Sequence, residues 1–178
     1  VPVLDARETA HGERPACAAV VMPLVAGASL AALRPPGEAW PIDWARWLVL
    51  RAGDALARLH AEGIGHGDVR AASYLVDARG DVLLTDVGLT RTVLDDGAPD
   101  DATMIGDDRR ALGRLAIALV AGAGRVPVDG DAATIAQALR AARGDCPAEW
   151  ADTIARLATA DAATRWATLA DAREALRG

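Results

Sequence analysis

Apolar positions along the chain change their period near residue 38. Before it, short apolar runs alternate with turn residues. Val1-Pro2-Val3-Leu4 and Ala18-Ala19-Val20-Val21-Met22 read as two strands bracketing a polar, turn-forming stretch from Thr9 to Pro15, the pattern of a hairpin. Pro23 to Gly27 breaks the run, and Ser29 is placed to cap a short helix through Leu33 that Pro35-Pro36-Gly37 ends. After it the spacing turns helical. Trp44, Trp47, Leu48, Ala52, Ala55, Leu56 and Leu59 recur on one face of a long helix, with Asp43 as its N-cap and Gly63 as its stop. Trp44 and Trp47 are therefore expected in the core, and His60 and Trp166 read as packing residues. Ser73 to Val76 and Val82 to Thr85 are short β-type runs joined by Asp77-Ala78-Arg79-Gly80-Asp81, a hairpin signal. Residues 109 to 121 are apolar nearly all round, which marks a helix buried on most sides. Three further helical patterns follow a loop at 122–130, spanning 132–142, 148–158 and 168–177. No repeat, low-complexity tract or dividing linker interrupts them.

Composition narrows this picture. The 178 residues fit one domain with a real core. Hydrophobic residues make up 52% but aromatics only 3%, so Ala, Leu and Val must fill the interior around five Trp, and such alanine-heavy sequence favours helices. A net charge of −6 and a pI near 5.0 leave no electrostatic footprint for nucleic acid or an anionic membrane, so neither is an expected partner. Cys17 and Cys146 lie far apart without CxxC spacing, which argues against a disulfide framework or a zinc site and suits a reducing interior, hence a cytoplasmic location. No apolar run reaches the ~18 residues of a membrane helix, and the N-terminus lacks the regions of a signal peptide. Every basic side chain is Arg; with abundant Ala, this suggests a high-GC bacterial gene. Val1 opens in mid-strand pattern, as expected of a piece cut from something longer, such as the cytosolic part of a larger protein.

The stretch that carries chemistry is His66-Gly67-Asp68-Val69-Arg70-Ala71-Ala72-Ser73, followed beyond the second hairpin by Asp86-Val87-Gly88. It resembles the catalytic loop and metal-binding turn of the protein kinases, with both aspartates at that family's spacing. The resemblance implies that Asp68 accepts the proton of a substrate hydroxyl, that Arg70 takes the place of the loop lysine beside the γ-phosphate, and that Asp86 holds Mg2+. It implies a structural role for His66 under the loop. Ser73 stands where the family keeps an asparagine that reaches a second Mg2+, and a short hydroxyl is a poorer ligand, so that metal is expected to be weak or missing.

The flanks extend the resemblance over nearly the whole chain. Ala55 to Ile64 resembles the helix leading into the catalytic loop, and Asp108-Arg109-Arg110-Ala111-Leu112-Gly113 the start of the central helix, whose aspartate anchors the loop backbone. Asp161 to Trp166 resembles the turn whose arginine pairs with the acid ending the activation segment. With Ala98-Pro99-Asp100 as that ending, a partly buried Asp100–Arg165 salt bridge is implied. Residues 1–27 would then be remnant small-lobe strands and the hinge, and 28–178 the helical large lobe, an α+β, mostly helical, kinase-like fold. Met22, Leu24 and Leu75 would border the adenine side of the cleft. His66-Gly67-Asp68 also opens the catalytic loop of aminoglycoside- and choline-type phosphotransferases, which share the fold.

Departures from the pattern decide the functional expectation. The polypeptide contains no glycine-rich phosphate loop and no lysine; nine residues separate Gly88 from Ala98, and seven separate Asp100 from Asp108, both short for the family. The reading is a pseudokinase, a regulatory or scaffolding domain that binds ATP and Mg2+ weakly or not at all. It would engage a protein partner, another segment of the same polypeptide, or a second copy, through apolar cleft surface around Val20, Met22, Leu24 and Leu75. The alternative is a fragment of an active ATP-dependent Ser/Thr kinase, or of an aminoglycoside-type phosphotransferase, whose phosphate loop and lysine precede Val1. Thr90, Thr92 and Thr103 read as ordinary exposed threonines rather than phosphorylation sites. Asp95-Asp96 and Asp100-Asp101 read as a solvated loop, since the alternating spacing of a calcium site is missing.

Overall fold

Alanine and leucine at helical spacing produce one short helix and five longer ones: α1 (Leu30–Leu33), α2 (Ile42–Ala61), α3 (Asp101–Ala121), α4 (Ala132–Ala142), α5 (Ala148–Ala158) and α6 (Leu169–Arg177). The computed structural model describes residues 1, 4–9, 17–35, 37–88 and 99–177, with 6–9 and 17–20 as backbone. Side-chain caps set four of the starts, Thr168 Oγ1 accepting from Asp171 N at 3.2 Å for α6. Ser29 Oγ accepts from Ala32 N at 3.3 Å for α1, Asp100 Oδ1 from Thr103 N at 2.7 Å for α3, and Asp131 Oδ1 from Thr134 N at 2.7 Å for α4. The backbone donors hold the Asp100 and Asp131 carboxyls below the ordinary carboxylate value.

Helix α3 is the axis of the fold. It packs against α2 on one side and α5 on the other, and α5 in turn holds α4 and α6. The core face of α2 is Ala45, Leu48, Val49, Ala52 and Leu56, in one buried cluster with Leu112, Ala116 and Val120 of α3 and with Ile154, Ala155 and Ala158 of α5, which reaches it through α3. The close crossing depends on Gly113, where a Cβ would stand 2.4 Å from Ala158 N.

Among the described residues, two small antiparallel sheets accompany the helices. Strands β1 (Asp5–Thr9) and β2 (Cys17–Val21) pair with Asp5 opposite Val21 and Thr9 opposite Cys17. Strands β3 (Gly27–Ser29), β4 (Tyr74–Asp77) and β5 (Val82–Leu84) form the second, with Ala28 opposite Val76 and Leu75 opposite Leu83. Asp77 closes the β4–β5 turn, its Oδ1 accepting from Arg79 N and Asp81 N at 2.9 and 2.8 Å.

The α+β, mostly helical architecture matches expectation; several local expectations do not. Strand β1 lies at 5–9, because backbone pairing with β2 selects a polar Asp-Ala-Arg-Glu-Thr segment that carries no apolar alternation; Pro2 and Val3 of the expected strand lie outside the described residues. Strand β3 has no signal of its own and exists by pairing with β4. Asp43 sits in the first turn of α2 behind an N-cap at Pro41. Trp44 is 56% exposed, off the face defined by Ala45 and Leu48, and meets the half-buried Trp47 edge-on with ring centroids 5.7 Å apart. Asp100 and Asp101 are the cap and first residue of α3 rather than a loop. Trp166 does pack, its Nε1 donating to Thr153 O at 3.2 Å and its ring lying under Arg156.

Gly113→Ala should destabilise the protein by about 1–3 kcal/mol through overpacking at the α3–α5 crossing, read as a lowered urea midpoint. The caps make a pH prediction. A carboxyl whose folded value is depressed contributes stability that is present above its unfolded value and lost as pH falls through the folded one. Asp131→Asn should therefore flatten the acid limb of the stability profile below about pH 4, where wild-type stability declines.

Candidate functional site

The loop carrying Asp68 hangs from two acids of α3, the half-buried Asp101 and the buried Asp108. Gly65 passes so close to that helix that a Cβ would stand 2.4 Å from Met104 Cβ. Its N–H donates to Asp101 Oδ1 at 2.8 Å. The next two amides go to Asp108, His66 N to Oδ2 at 2.6 Å and Gly67 N to Oδ1 at 2.8 Å, while His60 Nε2 from the last turn of α2 lies 3.0 Å from Oδ2. Asp108 is only 2% exposed and has no arginine partner among the described residues. Such a carboxylate is tolerated because its lone pairs are filled, each charge-assisted bond contributing about 1.5–3 kcal/mol.

His66, fully buried, links the two aspartate turns. Its Nδ1 accepts from Asp68 N at 3.1 Å, and its Nε2 donates to Thr85 O at 2.8 Å. Both bonds require the neutral Nε2–H tautomer, and neither nitrogen is left to take a proton from a substrate.

At the mouth of the site, Asp68 Oδ2 accepts from Arg70 Nε at 2.7 Å. This hydrogen bond, then the charge of Asp68 and a further contribution from nearby Asp86, raise the exposed Arg70 guanidinium above its ordinary value. Asp86 has φ 65°, the single positive value for a non-glycine among the described residues. That conformation costs of order 1 kcal/mol and is least unfavourable for Asp and Asn. The half-buried carboxylate has Thr85 Oγ1 at 3.5 Å, and the same hydroxyl lies 3.7 Å from Met22 Sδ. Met22 is thus brought beside the Asp86 turn and Leu75 lies half-buried in β4, whereas Leu24 is 98% exposed.

Two expectations need correction. Ser73 is fully buried and its Oγ donates to Asp68 O at 2.8 Å, so the hydroxyl braces the loop instead of offering itself to a metal. The Asp100–Arg165 salt bridge is not formed. Asp100 is consumed as the cap of α3, and Arg165 donates to the carbonyls of Thr159, Ala160 and Gly106 at 3.0–3.2 Å. Burial, then the neighbouring charges of Arg110 and Arg109, push the Arg165 guanidinium below its ordinary value. Among the described residues, no three His, Cys, Asp or Glu side chains converge to hold a metal ion. Residues 89–98, with Thr90, Thr92, Asp95, Asp96 and Ala98, lie outside the described residues, as does the side chain of Val20.

Sequence reasoning missed His60 and Asp101 as loop holders. A signal existed: Asp101 and Asp108 are seven residues apart, two turns along one helix face. Tyr74 was also invisible as a special case. Its ring is fully buried, its hydroxyl has no hydrogen-bond partner, and burial, with Asp108 adding, pushes its pKa up.

Asp108→Ala would leave three donors without an acceptor and should cost about 3 kcal/mol or more in chemical unfolding. Tyr74→Phe, which removes a buried unpaired hydroxyl, should instead leave stability unchanged or raise it by about 1 kcal/mol.

Similarity to known proteins agrees with this geometry. No model of a known protein family matches the sequence. A curated relative, "Putative cyclin-dependent kinase F-2" of Oryza sativa subsp. japonica, is 36% identical over 96 residues, 52% of this chain and 29% of the relative. Among solved structures, the kinase domain of Mycobacterium tuberculosis PknI superposes with a TM-score of 0.65 at 23% identity, covering 89% of this chain and 64% of that one. Rad53 in complex with AMP-PNP gives 0.67 at 23% identity, covering 94% and 48%. The Neurospora crassa PAN3 pseudokinase gives 0.72 at 12% identity, covering 98% and 44%. The chain thus spans less than a third of the curated relative and about half to two thirds of these structures. No described helix is long and apolar enough to cross a membrane. By loop geometry and by superposition alike, the chain has a protein kinase-like fold.

Proposed function

We propose that this chain is a pseudokinase domain, a kinase-like large lobe that binds a protein partner and does not transfer phosphate efficiently. The observation that carries the reading is Ser73. It is buried, and its hydroxyl proton is spent on the carbonyl of Asp68, so the loop keeps its shape without presenting a second metal ligand. The Asp68 carboxylate is itself engaged by Arg70. Both features lie inside the lobe, so a small lobe contributed from elsewhere would not repair them.

The residues fit one nucleotide-bound Mg2+ and not two. Mg2+ is commonly held by one or two carboxylates plus substrate phosphates, and Asp86 could serve as that carboxylate. Such an ion would screen phosphate charge at the mouth of the site, with Arg70 as the adjacent protein cation. A second reading, an active ATP-dependent kinase of which this is a part, draws on the intact Asp68 and Asp86 and on the AMP-PNP complex of the neighbour Rad53.

The partner surface in the preferred reading includes Leu4 and Val21, joined by Leu4 N donating to Val21 O at 2.8 Å, and Leu24, the three exposed at 64%, 48% and 98%. Large exposed apolar patches mark interaction sites.

Two measurements test the proposal. Millimolar Mg-ATP should raise the melting temperature little or not at all, because binding is weak with one metal, whereas a ligand at 100 times its dissociation constant would add ~2.7 kcal/mol; Mg-ATP turnover abolished by Asp68→Asn would establish the active kinase instead. Self-association of the isolated chain at high concentration should be weakened by Leu24→Asp with no change in melting temperature, because Leu24 is almost wholly solvent-exposed. A chain that stays monomeric at every concentration would remove the support for this surface.

A further inference from the structure

A second concave site lies behind the loop anchor, away from Asp68 and Asp86. A cavity of about 280 Å³ is enclosed by the end of α2, the first half of α3 and the start of α6. Ala57, Ala61, Ile105 and Leu169 give it a mainly apolar wall, and three polar features converge on it.

The first feature is Arg109. Its Nη1 donates to the carbonyls of Ala167 and Trp166, its Nε is buried without a partner, and no carboxylate lies within ion-pair distance among the described residues. The neighbouring Arg165 likewise donates its hydrogen bonds to carbonyls, with Asp107 and Asp161 acting on it only through their charge. The second feature is the first turn of α6, nine residues long, where the N–H groups of Leu169 and Ala170 have no intrahelical acceptor and carry the positive end of the helix dipole. Asp171 in the same turn is engaged by Thr168, its Oδ2 accepting from Thr168 Oγ1 at 2.7 Å and its N–H donating to that hydroxyl at 3.2 Å. The third is His60, which lines the cavity while its Nε2 is held by Asp108; its Nδ1 has no partner among the described residues.

We propose that this cavity binds a small amphipathic carboxylate, its head group on Arg109 and the first turn of α6 and its hydrocarbon tail against Ala57, Ala61 and Ile105. One unpaired cation and a helix terminus suit a monoanion, and an apolar wall suits a tail; a phosphate dianion would need more charge than the cavity holds. Its occupant would touch His60, and so sit one residue away from the carboxylate that holds the loop. This inference is independent of whether the chain transfers phosphate.

The test uses octanoate as probe, with acetate and 1-octanol as the tail-less and charge-less controls, followed by the imidazole NMR signals of His60 in the wild-type chain. Octanoate should shift His60 saturably, with acetate and octanol each weaker by about tenfold or more. Arg109→Met keeps the apolar stem and removes the charge; Ala61→Leu fills the cavity from its exposed rim and leaves every hydrogen bond in place. Both should weaken octanoate by about tenfold or more, and Ala61→Leu guards against a folding defect in the first variant. An unmoved His60 signal, equal binding of acetate, or octanoate binding unaffected by Ala61→Leu would each overturn the proposal.

Discussion

A single buried carboxylate, Asp108, holds the candidate site together. It accepts two consecutive loop amides and faces the His60 ring, so the path of residues 65–67 is written by hydrogen bonds to α3. The consequence reaches further, because His66, placed by that anchor, joins the backbone of Asp68 to the carbonyl of Thr85 and so sets the two aspartate turns relative to one another. Helix α3 can act as this post because Gly113 lets it lie directly on α5, and because Gly65 lets the loop lie directly on α3. Removing the acceptor would leave donors desolvated in the interior, a larger penalty than the bonds return when made.

This separates loop shape from loop chemistry. Shape depends on Asp108, His66, Asp101 and the Ser73 hydroxyl, all of which are satisfied inside the protein. Chemistry depends on groups that face outward, and there the site is reduced to Asp68 tied to Arg70, and Asp86 in a left-handed turn. A fold that keeps the first set and loses part of the second retains the kinase-like shape without its full set of metal ligands. That is the physical content of the pseudokinase reading.

Much of the fold was legible because it is written in helical periodicity. The spans of α4 and α5, the β4–β5 hairpin and the buried character of α3 follow from residue spacing alone. What was not legible depended on tertiary competition. Trp44 has the spacing of a core residue, yet Ala45 and Leu48 define the buried face and leave it in solvent. Asp100 looks like the end of a segment awaiting an arginine, but the helix begins at the next residue and claims its carboxylate as a cap, while three carbonyls claim Arg165. Ser73 looks like an impaired ligand; its full burial and its bond to Asp68 O are visible only once the loop is folded.

Native-state hydrogen exchange at Gly65, His66 and Gly67 tests the central claim most directly, since it reads the free energy of opening at each amide. If Asp108 and Asp101 hold the loop as described, these three amides exchange only through global unfolding, with protection matching the core of α3. Exchange of the three amides by local opening, at rates typical of exposed loops while α3 stays protected, would contradict the account.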